Sequence, residues 1–445
     1  MFMTWDALRH LHKQPRAIAL WLRWFGPVLR WLVPSRRRLL LALGAFYIAV
    51  KYSFRDTAQA ENLLGGTPVL AETFALFVTV FGFVFLCWLA AKNFAGLPPF
   101  ARRHPNICTH AVFWALLGVA WISTNYVGPL RTVIVGCVFL IPFVLWRIGY
   151  MMLTAQRGKM AGTGFTDHFF YIFPFWGGTV TPYGGYDYLA ANEARDEVAL
   201  AKSQLAGLKC FILAGLWAIA KLLLVAHVFD AGRVPRLTTA FANPELYPIW
   251  LLWIAVYLEL VWAVLSVAAS GHYIVGWLRL FGFHVFRNTY KPLLSETIIE
   301  FWNRYYFYFK ELLVHFFFYP TFTRHFKGSP RIRIVAAVFA AAFVGNMYYH
   351  WLRLDKELAT ADFLGMWAAL ESRFFYCLLL AVGISVSMLR EQKRVKAKRA
   401  RGVARRWVAI LGVCTFFSII RIWALKDPAP FITRTKLFLE LVGLG

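Results

Sequence analysis

The sequence predicts an all-α fold, a polytopic transmembrane helical protein, and three observations predict it. The chain of 445 residues is 60% hydrophobic, only 16% of its residues are charged, and its mean hydropathy is +0.55. That is well above the apolar content of a soluble domain. Apolar runs of about 20 residues, the length that crosses a bilayer, follow one another along the chain. The 42 Phe, 19 Trp and 19 Tyr suit lipid-facing surfaces and interfacial belts.

The charge and the cysteines exclude other classes of protein. A net charge of +26 could indicate a nucleic-acid partner. The basic residues, however, lie mainly in short loops between apolar runs, so cytoplasmic loops beside anionic lipid explain them better and no nucleic acid is predicted. The six cysteines lie mostly within apolar runs and show no CxxC or Cys–His ligand spacing. We therefore predict small buried residues, without a disulfide framework or a metal site.

The first 38 residues form a basic amphipathic segment that we expect to lie on the cytoplasmic membrane surface. Basic and aromatic residues alternate along it: Arg9, Lys13, Arg16, Arg23, Arg30 and Arg36–Arg38 among Trp21, Trp24, Phe25 and Trp31. A cleaved signal peptide fits less well. The apolar stretch from Leu39 follows a long charged leader and lacks a small-residue cleavage pattern.

About ten to eleven apolar segments are predicted to enter the membrane, some of them re-entrant or only half-spanning. They are Leu39–Tyr52, Val69–Ala91, Cys108–Thr124, Leu130–Leu153, His168–Val180, Leu208–Val228, Leu246–Ala269, Ile298–Phe318, Ile334–Trp351, Phe363–Leu389 and Trp407–Leu425. We divide the chain after the surface segment 1–38 into N-terminal transmembrane helices (39–160), a core (161–355) and C-terminal transmembrane helices (356–445). The last part includes a basic loop, 391–406, that we expect in the cytoplasm.

A polar stripe crosses the aromatic run of the core. Interpreted as one helix, its members follow steps of three or four residues: Glu296, Glu300, Arg304, Tyr308, Glu311 and His315. Lipid would leave these charges unpaired, so the stripe must face protein or water. The economical arrangement turns it towards the polar face of the helix that carries Asn346 and His350, across a central cavity.

A second unusual passage runs from Gly164 to Ala191, where prolines and glycines interrupt an aromatic run: Pro174, Pro182, Gly177, Gly178, Gly184 and Gly185. Such backbone should be buried in protein or line a cavity. An ordinary loop is an equally good interpretation. Asp167 and His168 beside it could be catalytic, although a pair at a helix entrance is more often a cap or a solvated loop.

Together these passages resemble a known family, the membrane-bound O-acyltransferases. The run Asn288–Tyr306 (NTYKPLLSETIIEFWNRYY) matches the family's ordered pattern at Asn288, Tyr290, Pro292, Ser295, Glu300, Phe301, Trp302 and Arg304, and Tyr319–Pro320 matches its following turn. FPFWGGTVTP looks like the family's proline–glycine loop. His350 lies where the family places its catalytic histidine. The resemblance covers roughly Gly164 to Leu354.

The resemblance implies an active site around His350 as general base, with Asn303, Arg304, Tyr306 and Asn346 as substrate-binding residues. The residues themselves leave alternatives open. A histidine in an apolar helix suits a base because its pKa lies near neutrality, but His350 could also cap a helix end at the interface. Arg304 with Glu300 and Glu311 is better explained as a buried ion-pair network.

Three other histidines and Tyr306 are not expected to act as the catalytic base. His315 is more simply structural, and His272 and His284 are expected in a loop. Tyr306 stands where the family commonly has His or Asn, and tyrosine is a poor base at neutral pH.

The predicted function is transfer of an acyl group, such as acetyl, from a thioester to a hydroxyl of a polysaccharide, wall polymer or lipid. No bound cofactor is expected; acyl-CoA or an acyl-carrier protein would be the co-substrate. Membrane lipid and an extracytoplasmic protein are the expected partners. The resemblance implies the bacterial inner membrane, with a cytoplasmic N-terminus. The alternative is a non-catalytic protein on the same scaffold, acting in transport or as an assembly partner.

Overall fold

The computed structural model describes residues 10–55, 70–126, 128–172, 179–396, 402–425 and 427–444. Over these residues the chain is helical and has no strand, with one isolated antiparallel bridge between Glu193 and Phe283. The prediction of an all-α fold is confirmed. The predicted loop residues Pro174, Gly177 and Gly178 lie outside the described residues.

The first ten helices are α1 (Pro15–Arg55), α2 (Leu70–Lys92), α3 (Pro99–Arg103), α4 (Pro105–Ile122), α5 (Pro129–Gln156), α6 (Phe165–Ile172), α7 (Tyr186–Ala191), α8 (Glu197–Leu224), α9 (Leu237–Ala240) and α10 (Ile249–Leu280). The others are α11 (Ile298–Tyr305), α12 (Phe307–Leu313), α13 (Tyr319–Arg324), α14 (Pro330–Val338), α15 (Asn346–Trp351), α16 (Asp355–Thr360), α17 (Phe363–Lys396), α18 (Val403–Ile420) and α19 (Phe431–Leu441). Short π-helical turns follow α8, α12 and α14 at Val225–Phe229, Val314–Phe318 and Phe339–Gly345.

The protein is an integral membrane protein by the length and composition of its helices. In the described part of the chain, six helical stretches are long and apolar enough to cross a bilayer: Pro105–Ile122, Glu197–Phe229, Ile249–Leu280, Pro330–Trp351, Phe363–Gln392 and Val403–Trp423. A seventh is α5, which bends by 59° between Pro129–Pro142 and Val144–Gln156. Pro142 accounts for the bend, since its ring removes one backbone hydrogen bond and clashes with the preceding turn.

This count is lower than the ten to eleven predicted. The aromatic run Ile298–Phe318 breaks into short helices, and in the predicted segment His168–Val180 the described helix ends at Ile172. Val78–Lys92 forms a shorter apolar helix. The predicted segment Leu39–Tyr52 belongs to α1, which continues through residue 38 without a break. The length of the apolar runs predicted the six spans correctly. It did not reveal where contacts with other parts of the fold end a helix.

The chain divides into two compact units. The first comprises Met1–Lys209, Gly276–Val285 and Leu352–Phe363, and the second comprises Cys210–Val275, Phe286–Trp351 and Leu364–Gly445. The four-part division predicted from the sequence remains a prediction.

In the first unit, two of the N-terminal arginines point into protein. Arg36 is 2% exposed and its Nε lies 3.3 Å from Glu193 Oε1. Arg37 pairs with both Glu193 and Asp167. Arg36 and Arg37 thus bind partly buried carboxylates of the same unit, while the membrane-surface position predicted for residues 1–38 stays a prediction. Trp24 and Trp31 of the same helix remain exposed.

Asp167 and His168 in this unit have structural contacts. Asp167 Oδ2 accepts a hydrogen bond from Gly164 N at 2.9 Å, before the first turn of α6. His168 is 1% exposed, and its Nε2 is hydrogen-bonded to Thr163 Oγ1 at 2.9 Å. The contacts of both residues fit the helix-cap interpretation.

The second unit has an apolar core formed by α9, α10 and α19 with the turn after α18. Buried members include Phe241, Leu252, Val256, Ile422, Trp423 and Leu437. Among the described residues of this unit, two charged side chains are buried and were not foreseen: Glu259 on α10, which is fully buried, and Arg434 on α19, which is 2% exposed. Each is satisfied within the unit, Glu259 by Arg236 and Arg434 by main-chain carbonyls.

Candidate functional site

In the second unit, the segment Asn288–Tyr306 is held in place by its first residue, Asn288. The Asn288 main-chain oxygen accepts a hydrogen bond from Phe307 N at 3.1 Å, and its Oδ1 accepts one from Tyr308 N at 3.3 Å. Both donors belong to the first turn of α12, where N–H groups have no partner within the helix. Asn288 is 1% exposed and lies against Gly271 of α10, where an added Cβ would come within 3.1 Å of Asn288 Cβ. Asn288 is thus a buried cap for α12.

The next two residues, Thr289 and Tyr290, cap the end of α11, the helix that precedes α12. Tyr290 N donates to Arg304 O at 2.7 Å, and Thr289 Oγ1 donates to Tyr305 O at 3.0 Å. Both acceptors are carbonyls of the last turn of α11. Between α11 and α12 stands Tyr306, whose backbone angles, φ −130° and ψ 66°, are not helical. Residues 288–290 therefore hold the end of one helix and the start of the next.

The prediction of one helix across Ile298–Phe318 is wrong for this reason. The groups that would continue the helix through Tyr306 are bound from outside by residues 288–290. The predicted polar stripe is consequently divided: Glu296 precedes α11, Glu300 and Arg304 lie on α11, Tyr308 and Glu311 lie on α12, and His315 lies in the π-helical turn.

Glu300 and Arg304 stabilise α11. Thr297 Oγ1 accepts from Glu300 N at 3.1 Å, and Glu300 Oε2 accepts from Glu296 N at 2.7 Å, an arrangement close to a capping box. Arg304 pairs with Glu300 at 2.5 Å, and both side chains are 32% exposed. The predicted partner Glu311 is instead paired with Lys310. The ion pair is therefore half-exposed and local rather than a buried network.

Asn346 and His350 lie one turn apart on α15, as predicted. Asn346 is 2% exposed, and in the described chain its Oδ1 has no hydrogen-bond partner. His350 is half-buried. The π-helical turn before α15 ends at Gly345, which lies so close to Phe317 that an added Cβ would meet its ring at 2.5 Å. Glycine is thus required where the turns before α13 and α15 touch, and π-helical turns are frequent at functional sites.

Aromatic rings connect Tyr306 to His350. The Tyr306 ring centroid lies 6.3 Å from that of Phe309, which lies 4.7 Å from Tyr349 in edge-to-face geometry. Tyr349 in turn lies 6.0 Å from the His350 ring. Among the predicted site residues, Tyr306 is thus linked by ring contacts to the helix that carries Asn346 and His350. Asn303 is instead exposed on α11, and Arg304 on the same helix pairs with Glu300.

Tyr306 also adjoins polar groups that the sequence reasoning missed. Its side chain is hydrogen-bonded to Tyr305, and the two rings lie 4.5 Å apart. Burial raises the pKa of Tyr305 well above its usual value, so this hydroxyl stays protonated. Tyr376 and Arg421 are close enough to Tyr305 to act on it electrostatically. The sequence offered one signal for these polar groups, because Arg421 is a single arginine near the end of the apolar run Trp407–Leu425.

Three other histidines singled out in the sequence have defined surroundings in the structure. His272 lies on α10 rather than in a loop; it is 4% exposed and its Nδ1 is hydrogen-bonded to Ala268 O at 2.6 Å. In the first unit, His284 lies 6.3 Å from His12, ring centre to ring centre. His315 packs on Tyr319, with ring centroids 5.9 Å apart.

No protein-family model matches this chain, and no curated protein matches it. The class that fold and composition define is a polytopic helical membrane protein. Any more specific assignment depends on the residues described above.

Proposed function

We propose that this chain is a membrane-bound O-acyltransferase in which His350 acts as the general base. The pair formed by His350 and Asn346 carries the proposal. A buried amide oxygen without a partner is costly, because it has lost its hydrogen bonds to water. An acceptor molecule with hydroxyl groups would donate a hydrogen bond to Asn346 Oδ1 beside the imidazole. The resemblance of Asn288–Tyr306 to the family supports the same assignment.

The reaction needs one base and one leaving group. The acceptor hydroxyl oxygen attacks the carbonyl carbon of the thioester while His350 removes the hydroxyl proton. A C–O bond forms, the C–S bond breaks, and the imidazolium returns the proton to the departing thiolate. General base catalysis of this kind contributes a factor of about 10²–10⁴ in rate. Tyr306, whose hydroxyl can donate, is the proposed second substrate-binding residue.

The proposal includes donor, acceptor and location. The donor is an acyl-CoA or an acyl-carrier protein, and the acceptor is a polysaccharide, wall polymer or lipid. We place the chain in a bacterial inner membrane with its N-terminus in the cytoplasm, because positive loops favour that side. An extracytoplasmic protein that presents the acceptor would be its partner. Arg304 is assigned to the scaffold because it pairs with Glu300.

The test is a transfer assay with purified chain in lipid vesicles. Radiolabelled acetyl-CoA and an acylated carrier protein are offered separately, together with glycans and lipids extracted from bacterial envelopes. The proposal expects label on an envelope component, released by hydroxylamine as an ester, that depends on the chain and on one of the two donors. Extracts without the protein are the control. Absence of ester-linked label with either donor and every extract would favour the non-catalytic alternative.

A further inference from the structure

In the first unit, basic side chains from three distant parts of the chain meet. His12 lies in a short 3₁₀ turn (Leu11–Lys13) before α1, and Lys209 lies on α8. Lys209 Nζ is 3.5 Å from His12 Nδ1, and the rings of His12 and His284 lie 6.3 Å apart, centre to centre. These contacts bring one ammonium and two imidazoles together, and we call His12, Lys209 and His284 the basic cluster.

The fold holds the backbone that presents His284. Its main-chain N–H donates to Asn192 O at 2.8 Å. The carbonyl oxygen of the next residue, Val285, accepts hydrogen bonds from Arg279 Nε at 3.1 Å and from Arg279 Nη2 at 2.7 Å. Arg279 is 7% exposed, so its guanidinium adds a fixed positive charge beside the loop that carries His284.

The helix that carries Lys209 is bound directly to the end of α10, which leads into this loop. Ser203 Oγ and Gln204 Nε2 of α8 each donate to one of the last two carbonyls of α10 at 2.9 Å. Four residues after Ser203, Gly207 lies so close to α10 that an added Cβ would come within 2.9 Å of Gly276 O. The position of Lys209 is therefore fixed relative to the loop after α10.

Positive charge surrounds His12. Burial lowers the pKa of His12 from 6.5 to about 4, and the charged groups that add to this effect are all basic: Lys209, His284, Arg279 and Lys13. The pKa of His284 is lowered to about 4 as well, by burial and then by Arg279 and Lys209. Both imidazoles are therefore uncharged at neutral pH. Because Lys209 donates to Nδ1 of His12, Nε2 of that ring carries the proton and can donate.

The acidic side chains near the start of α8 have other partners. Glu193 pairs with two arginines of α1, Asp196 Oδ1 accepts a hydrogen bond from Ala199 N at 2.7 Å, and Glu197 lies 4.0 Å from Arg30. These carboxylates thus balance charge elsewhere in the unit.

The basic cluster lies where two apolar runs end. Lys209 is followed by residues 210–220, which carry no charge. The span Ile249–Leu280 ends four residues before His284. The ends of apolar spans lie near the lipid headgroups, where basic residues meet the phosphates of the membrane surface.

We propose that His12, Lys209 and His284 bind a phosphate-class oxyanion. The ammonium supplies a charge and further N–H donors, and each neutral imidazole supplies one N–H. The anion would offset the positive charge that these groups share with Arg279, whereas the same charges would repel a metal cation. The oxyanion belongs either to a phospholipid headgroup or to a soluble phosphorylated compound. The site does not depend on acyl transfer, because it is measured by binding without turnover.

The experiment measures the melting temperature of the full chain, purified in neutral detergent at neutral pH. Inorganic phosphate replaces chloride at constant ionic strength in one arm, and phosphatidylglycerol replaces phosphatidylcholine in mixed micelles in the other. A ligand that binds only the folded state raises the melting temperature saturably. A rise in the phosphate arm indicates a soluble ligand, and a rise only with phosphatidylglycerol indicates a headgroup. A saturable rise in neither arm overturns the proposal.

The first site variant is Lys209→Gln, and its control is Lys202→Gln, at an exposed position of the same helix. Lys209→Gln should weaken binding by at least about tenfold, because hydrogen bonds from a charged donor are lost. Lys202→Gln should bind like the wild type. Affinity that stays at the wild-type value in Lys209→Gln contradicts the assignment.

The second pair of site variants, His12→Phe and His284→Phe, keeps a ring at each position but removes its donor. Each should weaken binding by about three- to tenfold, the effect of one neutral hydrogen bond. The control is His10→Phe, because His10 is exposed. These variants decide the question if Lys209→Gln does not fold. An equal loss of affinity in His10→Phe, or none in the two site variants, would contradict the proposal.

Discussion

Asn288 and Asn346 are two asparagines of the same unit that are buried to the same degree but differ in how their side-chain oxygens are used. They are 1% and 2% exposed, respectively. The Oδ1 of Asn288 accepts a hydrogen bond from Tyr308 N, whereas the Oδ1 of Asn346 accepts none from the described residues. The first oxygen therefore stabilises the fold, and the second is available to a bound molecule.

The matched substitutions Asn288→Leu and Asn346→Leu should separate stability from function. Asn288→Leu leaves the Tyr308 N–H buried without its partner, which costs about 1–3 kcal/mol. Asn346→Leu removes an unsatisfied oxygen, so its melting temperature should not fall, while the KM for the acceptor rises. Thermal melting and transfer kinetics on both variants check this. A large loss of stability in Asn346→Leu would show that its oxygen belongs to the scaffold.

Glu259, which is fully buried, forms an ion pair in the second unit with Arg236, whose side chain is 26% exposed. Arg236 Nε lies 2.6 Å from Glu259 Oε1, and its guanidinium also lies over the rings of Phe229 and Trp262, 4.6 Å from each. Glu259→Gln should lower the free energy of unfolding by about 3–5 kcal/mol, because Arg236 then lacks its counter-ion. The control is Glu245→Gln, which breaks an exposed pair with Lys436 and should leave melting unchanged. Equal melting of the two variants would contradict the prediction.

Arg434 holds the turn between α18 and α19. Arg434→Met should lower stability by at least about 3 kcal/mol, because it strands several buried carbonyl oxygens. Lys436→Met is the control, since Lys436 lies two residues further on the same helix and is half-exposed. Denaturant unfolding of the two variants measures the difference. A mild effect of Arg434→Met would mean that water replaces the guanidinium.

Acid should destabilise the first unit through His12 and His284. Burial, followed by Lys209, lowers the pKa of His12 from 6.5 to about 4, and burial, followed by Arg279, lowers the pKa of His284 to about 4. The unfolded chain therefore takes up protons before the folded chain does as the pH falls. Stability should be full above pH 6.5 and decrease between pH 6.5 and about 4.

Melting curves across this range check the pH prediction. The variants His12→Gln and His284→Gln should flatten the decrease, whereas His325→Gln, a change at an exposed position, should not. A decrease of equal size in all three variants would assign the acid sensitivity to carboxylates instead.

Local periodicity predicted the elements that depend on local structure. Asn346 and His350 are four residues apart and share a turn of α15 because nothing interrupts the helix between them. The long spans were predictable because apolar length alone determines them.

The break at Tyr306 was not predictable in the same way. No proline or glycine lies between Ile298 and Phe318 to mark it. It depends on Asn288 and Thr289, which bind groups 20 and 16 residues further along the chain.

The central claim is that His350 is the base, and the rate of acyl transfer by purified His350→Ala tests it most directly. His325→Ala is the control, and both variants are first shown to melt like the wild type. The account predicts that His350→Ala lowers the rate by a factor of about 10²–10⁴ while His325→Ala leaves it unchanged. Transfer by His350→Ala within a few-fold of the wild type would contradict the claim.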